Sequence, residues 1–235
     1  MPYRMLARAA HRATGRLGWL RGALGALLGI ALAGAAARLA LGPDPGRWPW
    51  LLAPLGASAV LVFAVPASPL AQPWPVAGGN LLSALVGLGC GALIPFPPLA
   101  AALAVGAAIA AMSIARCLHP PGGACALLAA LGGPPITVGG GGALLVPLTL
   151  NVGALIAAGY LWNNLTGHRW PHHLPAPGVP APQEWVARYD PADLDVVLEN
   201  WDEVLDVSRE DLDALFRAVE QQVEQRWRND ARPAR

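Results

Sequence analysis

The chain has 235 residues, of which 54% are hydrophobic and only 13% are charged, and its mean hydropathy is +0.43. This composition excludes an ordinary soluble globular protein and indicates an integral membrane protein. Arg116 is the only charged residue between Trp48 and His168, and all but one of the fifteen acidic residues follow residue 183. The net charge of +1 therefore sums a basic N-terminus, an uncharged middle and an acidic tail, and no basic patch with interleaved aromatic residues suggests a nucleic-acid partner.

Residues 1–16 form a basic segment, and residues 17–41 form the first predicted membrane span. The arginines that precede or open this span are Arg4, Arg8, Arg12, Arg16 and Arg21. They predict a cytoplasmic N-terminus, because short cytoplasmic segments carry an excess of basic residues. Arg169 and three histidines follow the last apolar segment, so we expect both termini in the cytoplasm. The number of crossings is then even, in a multi-pass protein of the inner (plasma) membrane.

Clusters of proline and glycine divide the uncharged middle of the chain into shorter segments. These segments lie near residues 50–66, 76–94, 98–117, 121–132 and 143–164. With the first span they make six membrane segments. Residues 121–132 supply only about 16 to 18 Å of helix, which is too short to cross a core of roughly 30 Å and suits a re-entrant half-helix. The expected crossings are therefore six or four.

Small residues recur at four-residue spacing in the first and third segments. The pairs and triplet are Gly18/Gly22, Gly25/Gly29 and Ser83/Gly87/Gly91. Such faces let helix backbones pack closely in a membrane. They favour a compact bundle, and we expect a homo-oligomer.

An internal repeat is visible in the apolar region. PLGASAVL at residues 54–61 matches PGGACALL at residues 121–128, and NLLSAL at residues 80–85 matches NVGALI at residues 151–156. The offsets are 67 and 71 residues, which predicts a duplication with units at about 17–94 and 95–166. Chance is the alternative, because Ala, Gly and Leu dominate the composition. Three helices per unit would place the second unit upside down, so the predicted fold is all-α, a polytopic helical membrane bundle of two inverted three-helix repeats.

The repeated helix starts favour an anion site, because a helix N-terminus presents unpaired N–H groups and about half a positive charge. Pro54 and Pro121 suit the first helical turn. The residues that would approach an anion through their backbone are Gly56, Ala57, Gly122, Gly123 and Ala124. Ser58 and Cys125 occupy matching places in the two copies. Asn80 and Asn151 serve either helix–helix hydrogen bonding or substrate contact.

Arg116 and His119 place two potential cations ahead of the second repeated helix start. An intramembrane charge is a functional hypothesis by default, but Arg116 also suits the cytoplasmic end of a span. His119 either carries charge or a proton for an anion, or it caps a turn before Pro120 and Pro121. In the functional interpretation both residues lie near the cytoplasmic access to the anion site.

Enzymatic, metal and cofactor functions find little support in the sequence. The predicted spans contain no Asp or Glu for acid–base catalysis, and the absence of Lys excludes a Walker motif. Cys117, His119 and Cys125 fit no established metal-ligand spacing. We expect no enzyme, no metal and no cofactor.

The acidic tail is predicted to be helical. Residues 167–189 form a Pro-rich linker, and residues 190–229 form a cytosolic helical hairpin. Its two helices are expected at residues 190–206 and 208–228, each with an apolar stripe that needs a partner.

The string LHPPGGACALLAALGG, with GASAVLVFAVPASPLAQPWPVAGGNLLSALVG before it and NNLTGHRWPH after it, resembles the HPP family of integral membrane proteins over about residues 15–173. The family motif falls on His119, Pro120 and Pro121, followed by Gly122 and Gly123. The resemblance implies a membrane protein of a family that is commonly described as having four spans, and in which some members are implicated in moving nitrite across membranes. The sequence thus predicts a transporter or channel for a small inorganic anion, nitrite by resemblance. The alternative is a non-transporting scaffold that acts through the acidic tail.

Overall fold

Proline sets where most helices of this protein begin. The computed structural model describes residues 18–43, 49–132, 140–172, 189–201 and 209–230, without the side chains of 228–230. Its helices are α1 (Gly18–Leu41), α2 (Pro54–Ala64), α3 (Pro73–Leu93), α4 (Pro97–Ile114), α5 (Pro121–Leu131), α6 (Gly142–Leu165), α7 (Pro191–Glu199) and α8 (Arg209–Asp230), with a 3₁₀ turn at Pro69–Ala71. Five of these eight begin at proline, whose missing N–H is not needed in a first turn. The described part is all-helical, as predicted.

Four of the described helices are long and apolar enough to cross a membrane. These are α1, α3, α4 and α6, with 18 to 24 residues each. Their bounds agree with the predicted segments to within three residues. The described part therefore contains four helices of spanning length and composition, and four is also the number of spans that the family resemblance implies.

The membrane segment expected near residues 50–66 contains a helix that is shorter than the segment. Helix α2 has only 11 residues, the same length as α5. Pro66 explains its end, because a residue that precedes proline avoids the helical region, and Val65 indeed has φ −131° and ψ 57°. The short helix predicted near residues 121–132 is confirmed, and it ends before Gly132 at φ +68°.

Helices α1 and α6 lie antiparallel, and glycines make their contact close. A Cβ added at Gly25 would meet the Trp162 ring at 2.6 Å, and one at Gly29 would lie 3.3 Å from Leu155. Helix α2 runs back along α1, because a Cβ at Gly22 would lie 3.2 Å from Ala64. At Gly18 no such contact occurs within 4 Å, so only part of the predicted small-residue face is used.

Helices α3 and α5 lie parallel, with glycines of α3 against the backbone of α5. A Cβ at Gly87 would clash with the Ala126 carbonyl oxygen, and one at Gly91 would lie 2.7 Å from the Ala130 carbonyl oxygen. Helix α4 returns antiparallel to α3, since the Trp74 indole N–H donates to the Ala115 carbonyl oxygen at 3.1 Å. The predicted Ser83/Gly87/Gly91 face is therefore an interface within the chain.

Residues 174–235 form a second compact unit. Tyr189 stacks on Phe216 with ring centroids 5.4 Å apart and donates its hydroxyl hydrogen to Asp213 at 2.9 Å. Arg209 pairs with Asp195 at 2.6 Å. The first predicted tail helix is shorter than expected, since α7 ends at Glu199 with Asn200 as its cap.

Several predicted features fall outside the described residues. They are the basic segment at 1–16, most of the Pro-rich linker, residues 202–206 of the first predicted tail helix and residue 208 at the start of the second.

Candidate functional site

The two short helices of the membrane unit begin in the same way. The residues just before them, Ala53 and Pro120, have nearly identical backbone angles, with φ −51° and ψ −38° for the first and φ −52° and ψ −39° for the second. No side chain caps either helix. The repeated sequence therefore corresponds to a repeated local structure at an offset of 67 residues.

The first N–H groups of both helices are already hydrogen-bonded. Gly122 donates to the His119 carbonyl oxygen at 2.8 Å, and Gly123 donates to that of Pro120 at 3.0 Å. In α2, Gly56 likewise donates to the Ala53 carbonyl oxygen at 3.1 Å. An anion at these N–H groups would have to compete with the existing bonds or share them.

His119 is fully buried, and its hydrogen-bond partners fix its neutral tautomer. Its Nδ1 lies 2.8 Å from the Leu70 carbonyl oxygen, which can only accept, so Nδ1 carries the proton. Its Nε2 lies 2.9 Å from the Ser58 hydroxyl oxygen and accepts the hydroxyl hydrogen. One imidazole thus joins the chain ahead of α5 to both α2 and the 3₁₀ turn.

Asn80 continues this network from α3. Its amide donates to the Ser58 hydroxyl oxygen at 3.2 Å and to the Val76 carbonyl oxygen at 2.9 Å, while its own carbonyl oxygen accepts from the Cys125 thiol at 3.1 Å. Ser58 and Cys125 are each the fifth residue of their short helix. Asn80 therefore bonds both copies of the repeat.

The central polar network consists of His119, Ser58, Asn80 and Cys125. All four side chains are buried. Each hydrogen bond of this network has a donor facing an acceptor. Its polar groups therefore satisfy one another, as polar groups in an apolar interior must.

Asn151 lies apart from the central polar network, although it matches Asn80 in the repeat. Its amide donates to the Trp50 carbonyl oxygen at 2.7 Å and to that of Ala33 at 3.4 Å. Its carbonyl oxygen has no partner in the described part of the chain. Asn151 thus holds the non-helical stretch before α2 against α1 and α6.

Arg116 lies two residues after the last residue of α4 and does not join the central polar network. It adopts a left-handed conformation with φ 53°, while Cys117 donates to the Met112 carbonyl oxygen at 2.9 Å and Arg116 to that of Ser113 at 3.2 Å. This pair of bonds is a Schellman motif, and the Arg116 side chain is exposed. The geometry favours the interpretation of Arg116 as an interfacial cation.

The small residues of the predicted cradle differ in exposure. Gly56, Ala57 and Ala124 are exposed, Gly123 is half-buried, and Gly122 is buried, as are Pro54 and Pro121. A Cβ at Gly122 would lie 2.7 Å from the Ser83 hydroxyl oxygen, so α5 touches α3 there without room for a side chain. Within the described part, that buried hydroxyl has no hydrogen-bond partner.

Arg21 holds the far end of α2, a role that the sequence analysis missed. Its guanidinium donates to the Phe63 carbonyl oxygen at 2.9 Å and to the Asn163 side-chain oxygen at 2.9 Å, while the Asn163 amide donates to the Val62 carbonyl oxygen at 2.9 Å. A cation at a helix C-terminus offsets the partial negative charge there. The sequence feature that could have indicated this role is a charged residue one turn inside the first apolar helix.

Comparison with known proteins agrees with the membrane unit described above. The model of the HPP transmembrane region matches residues 11–171. Two transmembrane proteins of Dictyostelium discoideum are 43% and 44% identical to the chain over 83 and 82 residues. These stretches cover 34% and 33% of this chain and only 27% and 29% of the relatives, less than a third of their length. No solved structure matches the chain. Because the matched residues include α1 to α6 and the His119-Pro120-Pro121 motif, the chain belongs to the HPP transmembrane family.

Proposed function

We propose that the membrane unit crosses the bilayer six times, in two inverted units of three. Two of the crossings each include a non-helical stretch followed by a short helix, namely residues 49–64 with α2 and residues 115–131 with α5. The helix contacts support this arrangement. Helix α1 packs against α2 and α6, and its counterpart α4 packs against α5 and α3. Helix α2 contacts α6, and its counterpart α5 contacts α3. Exchanging the two units leaves this pattern unchanged, as an inverted repeat requires.

The directions of the short helices support the same topology. Helix α2 runs from the level of Gly34, where a Cβ would lie 3.1 Å from Leu51, to that of Gly22 near the start of α1. Helix α5 runs the opposite way, from the level of Gly79 towards Gly91 near the end of α3. The basic N-terminal segment and Arg169 would then lie on the cytoplasmic side of the plasma membrane.

We infer that this unit moves a small inorganic anion, with nitrite suggested by the family resemblance. The observation that carries the proposal is the central polar network, which joins two interrupted crossings through His119, Ser58, Asn80 and Cys125. Interrupted helices and buried polar groups at membrane depth mark binding sites in many transporters, and both helix starts bring partial positive charge into the interior. In this proposal Gly56, Ala57 and Asn151 on one side, and Gly122, Gly123 and Ala124 on the other, flank the anion pathway.

The roles within this site differ from residue to residue. His119 and Ser58 are positioning residues that hold the starts of α5 and α2 relative to each other. Arg116, exposed at the end of α4, raises the local anion concentration at the cytoplasmic access.

The second candidate function is a membrane scaffold that acts through its tail. The observation that favours it is the exposed apolar stripe of α8, where Leu215, Phe216, Val219 and Trp227 are each at least 46% exposed. A stripe of this kind suits a protein partner. This function requires no flux of any solute.

A flux measurement in proteoliposomes separates the two candidates. The purified full chain is reconstituted, and uptake of nitrite, nitrate and chloride is compared with that of protein-free vesicles. We expect saturable nitrite uptake, reduced by about tenfold or more in His119→Ala, while His168→Ala beyond α6 keeps the wild-type rate. Background flux of all three anions in folded protein would overturn the transport proposal and leave the scaffold.

A further inference from the structure

A groove of about 970 Å³ lies on the surface of the membrane unit, between α1 and the chain that leads into α2. Its walls are mostly small and apolar, and they include Leu27, Ala31, Gly34, Ala35, Gly56 and Ala59. At one end the Arg38 guanidinium lies over the Trp50 ring, 5.2 Å from its centroid. Apart from Arg38, these walls offer few polar groups to water.

The groove exposes non-helical backbone at the depth of the hydrocarbon core. The Trp50 carbonyl oxygen is bonded to Asn151, the tenth residue of the 24-residue α6. Leu51 packs on Gly34, which lies seven residues, or about 10 Å, before the end of α1. The stretch from Trp50 to Ala53 is therefore well inside a bilayer that α1 and α6 span.

The described residues leave this stretch uncovered. Leu51 is 42% exposed, and Ala53, Gly56 and Ala57 are exposed as well. Among the described residues, no acceptor is found for the N–H groups of Leu51, Leu52 and Ala53. Lipid tails cannot satisfy such groups, so irregular backbone at this depth occurs only against protein or water.

We propose that a second copy of this chain covers the groove and that the protein is a homodimer with α1 at its interface. Ala31 and Ala35 are four residues apart and exposed, so a partner helix can approach closely there. In a two-fold dimer the same surface of each copy forms the interface. Because α1 borders the groove, α1 of one copy can lie against the groove of the other. The proposed interface does not require transport, but it shares Gly56 with the proposed anion pathway.

Spin labels test whether a second copy, lipid or water fills the groove. Full-length protein in liposomes carries one label, at Ala31→Cys or Ala35→Cys, with Cys90→Ser to remove the half-buried thiol. We expect low collision rates with both oxygen and a nickel chelate, and spin–spin broadening between the two copies. The matched control is Ala107→Cys, exposed on α4 away from the groove, which should collide with oxygen at least about threefold more often. High oxygen collision at Ala31 would show lipid, high nickel collision would show water, and either result overturns the proposal.

A bulky substitution provides a second readout. Ala31→Trp should fill the groove and weaken dimerisation by about tenfold or more, while Ala107→Trp should leave it unchanged. Both variants are compared by native mass spectrometry in nanodiscs, with the unfolding transition as a check of folding. A monomeric wild-type protein, or equal dimer fractions in a folded Ala31→Trp variant, would contradict the assigned interface. Normal flux in such a monomer would leave the transport proposal intact.

Discussion

Ser58 occupies the middle of a hydrogen-bonded chain that begins at His119 and ends at Cys125. Its hydroxyl donates to His119 and accepts from Asn80, so its hydrogen has one direction as long as the imidazole is neutral. A proton added at Nε2 would require that hydroxyl to turn elsewhere, which links the charge of His119 to the contact between α2 and α5. The sequence already singled out Ser58, Asn80 and Cys125 through the repeat. Their bonds to one another could not be predicted, because they depend on how three helices cross.

Replacement of Ser58 by alanine should destabilise the membrane unit. The change leaves His119 Nε2 and one amide hydrogen of Asn80 buried without partners, at an expected cost of about 1 to 3 kcal/mol. Ser113→Ala is the matched control, because that exposed hydroxyl bonds only to the Ile109 carbonyl oxygen of its own helix. It should change stability by less than about 0.5 kcal/mol. Unfolding in mixed micelles measures both variants, and equal effects would argue against the central polar network as a structural unit.

At the scale of the helices, the positions of glycine determine which surfaces touch. In α3, Gly87 and Gly91 face α5, whereas a Cβ added at Gly89 on the same helix would meet no heavy atom within 4 Å. Spacing predicted the Ser83/Gly87/Gly91 face, and the structure identifies its partner. The spacing could not distinguish a contact within the chain from one between chains, and it could not show that Gly18 lacks a neighbour. The length of α2 was also misjudged, because apolar composition continues through Val65 and Pro66 while the helix ends at Ala64.

Alanine substitutions in α3 should therefore have opposite effects one half-turn apart. Gly87→Ala forces a methyl group against the Ala126 carbonyl oxygen and should destabilise the protein by about 1 to 3 kcal/mol. Gly89→Ala meets nothing and should be neutral or stabilising by up to about 1 kcal/mol, because alanine is the better helix former. The same micelle unfolding experiment compares them. A loss of stability in Gly89→Ala as large as that in Gly87→Ala would contradict the packing of α3 on α5.

At the scale of the whole molecule, the sequence indicated a membrane protein with an internal repeat, and the described residues contain four long and two short apolar helices. Hydropathy could not resolve how the short helices are used, because a crossing that is half non-helical carries no continuous apolar helix of spanning length. The proposed topology follows instead from pairs of contacts, such as Trp74 with Ala115 and Ala33 with Asn151. The tail was predicted to be helical, and its described part contains the two helices α7 and α8.

The proposed six crossings and a simple four-crossing topology differ in where the turn between α3 and α4 lies. With four crossings, made by the long helices alone, residues 94–96 lie on the same side as the N-terminus, and Ser113 at the end of α4 lies on the opposite side. With six crossings, both positions are reversed. Phe96 is 64% exposed and Ser113 is exposed, so a cysteine at either place can react.

Labelling of these two cysteines with a membrane-impermeant maleimide in intact cells is the most direct test of the proposed topology. Each variant carries Cys90→Ser and an N-terminal tag whose side is determined in parallel. We predict that Phe96→Cys reacts from the side opposite the tag, and that Ser113→Cys reacts only from the side of the tag. The reverse pattern would show that the chain crosses four times, and the proposed inverted units with their interrupted crossings would then be wrong.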